Sequence, residues 1–249
     1  MLRGRRLCSR RSLARLHALA RRPLNYSPPP QGSVPARRAH WRVDRRRIPL
    51  AQEPAGAPVS GGAWERACRL VRDYQFAEPS IIRAIYPADH ALLGRDMLLE
   101  GRFAGLRFDM GVRVTAVIDE TRGRGDAETR VWGWAYGTLE GHLEQGELTY
   151  EVVKQVHTGA VEFRISGYSR CAPLANPVIR LGFALFGRWT QQRFYRASGR
   201  RLHRLLQGEL DGAPPVRPET VPGSGGVIIA PTLTGKAEAA PSGNRRRGL

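Results

Sequence analysis

The sequence predicts an α+β fold of a single domain: helices first, then a curved antiparallel β-meander, then one long C-terminal helix that closes over the sheet. Three observations carry this reading. In LRFDMGVRVTAVID the residues Leu106, Phe108, Met110, Val112, Val114, Ala116 and Ile118 fall at every second position, the period of a strand with one buried face. Further strand-like runs follow with no helical pattern between them, which makes the sheet antiparallel. From Leu174 to Gln207 the pattern becomes helical, with Val178, Leu181, Leu185 and Phe186 as an apolar stripe; Arg180 and Arg188 interrupt it too often for a membrane span.

The remaining elements follow in chain order. Residues 1–12 read as a basic disordered leader, and Leu13, Leu16 and Leu19 predict a short helix ended near Pro23. NYSPPPQGSVPAR (25–37) is a proline-rich connector, 41–50 an arginine-rich edge strand and 54–62 a loop. Trp64, Ala67, Cys68 and Val71 recur at helical spacing, and Pro79 and Pro87 bracket a second short helix over 79–86. In RVWGWAYGT (130–138), Trp132, Trp134 and Tyr136 share one face; 148–154 and 161–166 continue the meander across a turn at His157–Gly159. Residues 211–249, rich in Gly, Pro, Ala and Ser, read as a disordered tail, so the domain runs over 13–210.

The net charge of +18 is unevenly placed. Residues 1–47 carry fourteen arginines against the single acid Asp44, whereas 48–210 is nearly neutral. The basic arm is therefore the candidate nucleic-acid binder, and a solvated leader is the competing reading. SRRSL at 9–13 resembles a twin-arginine signal, but Arg15, His17, Arg21 and Arg22 break the apolar run such a signal needs. Three dispersed cysteines, Cys8, Cys68 and Cys171, support neither a disulfide framework nor a zinc site. Together these features predict a cytoplasmic protein.

The hairpin AYGTLEGHLEQGELTYEV resembles the signature YGTLxGHxxxGEExF of Uncharacterised Protein Family 0548. The likeness extends over the leader LNYSPPPQGS, the strand HWRVDRRRIPL, SGYSRCAPLANPVIRLGF and QQRFYRAS. It implies a helix-grip fold of the START and birch-allergen type, in which sheet and helix enclose a cavity. One position departs: Glu147 is followed by Leu148 where the signature carries a second glutamate.

Two uses of these residues compete. His142, Glu144 and Glu147 are the candidate catalytic or rim residues, because an imidazole beside carboxylates suits acid–base work. Their spacing matches no specific metal-ligand pattern, so no metal is expected. Trp132, Trp134, Tyr136, Phe108, Phe163 and Tyr168 form an aromatic face that either packs as core or lines a pocket for a small, mostly apolar molecule. No P-loop, GxGxxG or Ser-His-Asp order occurs, and no cofactor is expected. A binding domain is the first reading; a cavity enzyme of cyclase, hydrolase or dehydratase type working through His142 and Glu144 is the second.

Overall fold

A computed structural model describes residues 10–28, 41–103, 106–173 and 177–233, with the main chain alone at 103, 106 and 177–188. The leader before Arg10, most of the connector, the end of the tail and the side chains of the stripe Val178, Leu181, Leu185 and Phe186 lie outside the described part. The elements are α1 (Arg10–Ala18), β1 (Arg42–Gln52), α2 (Ala63–Arg72), β2 (Ile82–Pro87), β3 (Asp96–Phe103), β4 (Leu106–Arg122), β5 (Thr129–Thr138), β6 (Glu144–Gln155), β7 (Ala160–Cys171), α3 (Pro177–Leu210), β8 (Glu219–Thr220) and β9 (Val227–Ala230).

All strands pair antiparallel in one curved sheet, in the order β1-β7-β6-β5-β4-β3-β2-β9-β8. Helices α2 and α3 pack against each other and against the sheet's concave face, which is the helix-grip arrangement. The core beneath them is aromatic. Trp134, Tyr150, Phe76 and Phe163 are all fully buried, with ring centroids 4.5 to 6.2 Å apart along the chain of contacts from Trp134 through Tyr150 to Phe76 and Phe163. Two indoles bolt α2 to the strands: Trp134 Nε1 donates to the Val71 carbonyl at 3.2 Å and Trp64 Nε1 to the Val152 carbonyl at 3.3 Å.

Beside these rings lies a buried ion pair. Lys154 Nζ donates to Glu53 Oε2 at 2.7 Å and to the Ala57 carbonyl at 2.8 Å, while Glu53 Oε1 accepts the Trp64 amide at the start of α2. Burial alone would raise the Glu53 pKa, but the Lys154 ammonium and the Trp64 and Val59 amides outweigh it and hold the carboxyl below its ordinary value. Glu53 thus ties β1, the 54–62 loop and α2 to β6.

A second apolar cluster sits on the opposite side of the sheet and joins the two ends of the chain. Leu16 and Leu19 meet Ile85, Leu98, Leu139 and Val227 there. Arg113 donates to the Leu19 carbonyl at 2.9 Å, and Arg15 pairs with Asp109.

Three expectations are corrected. Residues 79–86 are not a helix: Ile82–Pro87 form a strand between β3 and β9. Arg83, Ala84, Ile85 and Tyr86 are all buried, so both faces of the strand are covered and neither a period of two nor one of 3.6 shows in its sequence. The chain beyond 211 is not uniformly disordered, because Val227–Ala230 extend the sheet and Arg201 binds the carbonyls of Gln75 and Thr232. The alternation in β4 is broken by a register shift between Val114 and Ala116, which sets Val117 rather than Ala116 or Ile118 opposite Trp134.

Candidate functional site

The turn between β5 and β6 demands glycine twice. Gly141 has φ +86° and Gly146 φ +147°, and a Cβ on Gly146 would lie 2.0 Å from the Tyr168 carbonyl oxygen. These two residues bend the hairpin so that it closes over its own histidine. His142 is therefore buried. Its Nδ1 accepts the Glu144 amide at 2.9 Å. The same Nδ1 lies 3.1 Å from the Glu144 carbonyl oxygen, so the ring is held on both sides by the Glu144 main chain. Burial lowers the imidazole pKa to about 4, so the ring is neutral at physiological pH.

The N-terminal segment holds this hairpin in place. Asn25 donates its amide N–H to the Thr138 carbonyl at 3.1 Å and its side-chain N–H to the Glu144 carbonyl at 2.9 Å. The Thr138 hydroxyl donates to Asn25 Oδ1 at 2.6 Å and accepts the Gly146 amide at 2.9 Å. Both limbs of the hairpin are thus stitched through one asparagine that the sequence reading leaves in a proline-rich connector. Tyr26 continues the strap, packing edge-to-face on Tyr168 and Trp41 and donating to Glu147 Oε2 at 3.3 Å.

At this end of the grip a small cleft of about 40 Å³ opens between the hairpin, β7, β1 and α3. Its wall includes His142, Glu144, Tyr136, Thr138, Tyr168 and Ser169 from the sheet and Gln191 and Tyr195 from α3, with Asp44 of β1. That volume holds roughly three waters. Across this cleft Gln191 Nε2 donates to Ser169 Oγ at 3.5 Å. Tyr136 is pushed up to about 12, first by burial and then by the Glu144 carboxylate. Its hydroxyl meets that of Tyr150 at 3.4 Å, linking cleft and core.

The predicted site residues divide between two places. His142, Glu144, Glu147, Tyr136 and Tyr168 all line the cleft. Glu147, however, accepts hydrogen bonds from Thr115 and Tyr26, and His142 bonds the main chain of Glu144 in the contacts above. Trp134 and Phe163 are sealed in the core, Trp132 is packed at its edge, and Phe108 lies half-buried on β4, opposite Gly101 of β3. Asp44, Gln191, Tyr195 and Asn25 escape sequence reasoning. Asp44 stands out only as the one acid in an arginine run, and Asn25 falls inside LNYSPPPQGS, where the family resemblance is the available signal. Among the described residues no cluster of three His, Cys, Asp or Glu side chains is arranged to hold a metal ion.

A family model described as "Domain of unknown function (DUF1990)" matches residues 28–201. No curated protein matches the chain. Among solved structures, the chain is similar to a norcoclaurine synthase point mutant from Thalictrum flavum in complex with a transition-state analogue, at 11% identity and a TM-score of 0.44, covering 68% of this chain and 96% of that one. It is likewise similar to Ara h 8.0201, at 10% identity and a TM-score of 0.39, covering 68% and 99% respectively.

Proposed function

The chain belongs to the DUF1990 family of domains of unknown function, and we propose that it binds a small, mostly apolar molecule whose one polar group enters the cleft at the hairpin end of the grip. The observation that carries this reading is the convergence of His142, Tyr136 and Tyr195 on one cleft beside a core that is tightly packed among the described residues. With Nδ1 held by the Glu144 main chain, the imidazole ring is fixed in orientation, and a site of one or two oriented polar groups beside aromatic surface suits a ligand with a hydrogen-bonding group.

Binding is favoured over catalysis by the protonation state of the imidazole. A histidine with a pKa of about 4 carries no proton to give at neutral pH, and as a base it is far from the pKa near 7 that general catalysis uses. The test is native mass spectrometry of protein purified from its own host. The wild type retains a small molecule, and His142→Ala lowers its occupancy about tenfold, the usual scale for one lost hydrogen bond to a ligand. A wild-type preparation that retains nothing contradicts the proposal.

A further inference from the structure

The outer face of α3 carries a feature that the cleft does not use. Trp189, Arg193, Arg196, Arg200 and Arg204 are all exposed, at spacings of three or four residues that place them along one side of the helix over roughly 22 Å. Trp189 is 52% exposed, with the Arg193 guanidinium 5.4 Å from its ring centroid. No acidic residue occurs between Trp189 and Gly208. The row broadens sideways onto the edge strand β1, where Arg42 and Arg46 are exposed on the α3 side of the strand, Arg46 bonds Gln192 of α3, and the one acid, Asp44, is buried. None of these six arginines makes an ion pair among the described residues.

We propose that this face docks on an anionic membrane surface, with the arginines against lipid phosphates and carboxylates and the Trp189 indole at the headgroup level. Arginine stems and tryptophan rings suit that boundary, which takes an apolar body and a polar tip together. The shape of the face decides between the two polyanions that such charge could meet. Helix α3 is half embedded, with Phe194, Tyr195, Ala197, Ser198, Leu202 and Leu205 buried on its inner side. Its exposed side therefore presents one narrow strip of side chains beside β1. A strip of that form lies on a plane, whereas reading a nucleic-acid groove requires a helix that stands clear of its domain and enters it. No described helix is long and apolar enough to cross a membrane, so the attachment is peripheral. It needs nothing bound in the cleft, and the two proposals fail separately.

The test is co-sedimentation of the full chain with phosphatidylcholine vesicles with and without phosphatidylserine. Wild type sediments with the anionic vesicles alone, and added salt releases it. Each arginine near an anionic leaflet strengthens binding about fivefold, so the combined variant Arg193→Gln, Arg196→Gln, Arg200→Gln, Arg204→Gln binds at least about 100-fold more weakly. Arg124→Gln, in the exposed β4–β5 turn, binds as wild type, and its unfolding curve and that of the combined variant match wild type. Trp189→Ala removes the blue shift of tryptophan emission seen on adding vesicles. Sedimentation of the combined variant equal to wild type overturns the proposal, because the charge would then act from elsewhere in the chain. Retention by a DNA duplex without sedimentation on phosphatidylserine vesicles overturns it in favour of nucleic acid.

Discussion

Strands β5 and β6 are built differently at their two ends. In their middle, Trp134 and Tyr150 are fully buried under α2, their rings pack on one another, and the buried charge of Lys154 is matched by Glu53. Four residues further along, the same strands end in glycine-bent chain whose contacts are hydrogen bonds to an asparagine and a histidine, beside a cleft spanned by a 3.5 Å bond. The difference separates the packed core from the proposed binding end within one hairpin. The ring end supplies burial that is insensitive to small shifts, while the glycine end supplies oriented polar groups at little cost in core packing.

Substitutions sharpen that comparison in order of size. At the packed end, Trp134→Ala leaves a large void and costs about 3 to 5 kcal/mol in chemical denaturation. Lys154→Met leaves Glu53 buried without its cation, at a similar cost of about 3 to 5 kcal/mol. If either variant unfolds like wild type, the middle of the sheet is not the rigid part.

The next effect belongs to pH. The His142 pKa falls from its ordinary 6.5 in the unfolded chain to about 4 in the folded one, so as pH drops the unfolded state takes up its proton first. Stability is then full above pH 6.5 and declines between 6.5 and 4, by roughly 3 kcal/mol from this group. His142→Asn flattens that part of the profile, and an unchanged acid limb in the variant contradicts the buried, neutral imidazole.

Ending the chain at Leu210 removes β8 and β9, exposes Ile85 and Leu98, and costs about 2 to 3 kcal/mol, a loss of several degrees in thermal unfolding. An unchanged Tm means that β9 adds nothing. Smallest is Asn25→Ala, at about 1 to 2 kcal/mol. Because Asn25 holds both limbs of the hairpin, it also weakens ligand retention, whereas Trp134→Phe leaves retention unchanged.

Legibility in the sequence follows the same division. Strands with one wet face announce themselves: β4, β6 and β7 are readable because polar residues alternate with apolar ones, and β5 because its aromatic residues alternate with glycine and alanine. Strand β2 is covered on both sides and loses that signature, and β9 is four residues, VIIA, inside a stretch of glycine and proline. The hairpin's glycines and His142 are readable as a turn. Its burial is not, since Asn25, Asp44, Gln191 and Tyr195 arrive from three distant segments and no spacing links them. The bulge in β4 is invisible for a similar reason: Thr115 carries no glycine or proline to mark a change of parity.

The central claim is that a ligand meets the hairpin end and leaves the ring core untouched. Nuclear magnetic resonance tests it directly, by titrating the 15N-labelled protein with 2-naphthol, a neutral aromatic with one hydroxyl. The amides of Thr138, His142, Glu144 and Ser169 shift on binding, while the Trp134 and Trp64 indole N–H signals, bonded to Val71 and Val152, stay where they are. A shifted Trp134 indole signal with silent hairpin amides would place the ligand among the rings and contradict the claim.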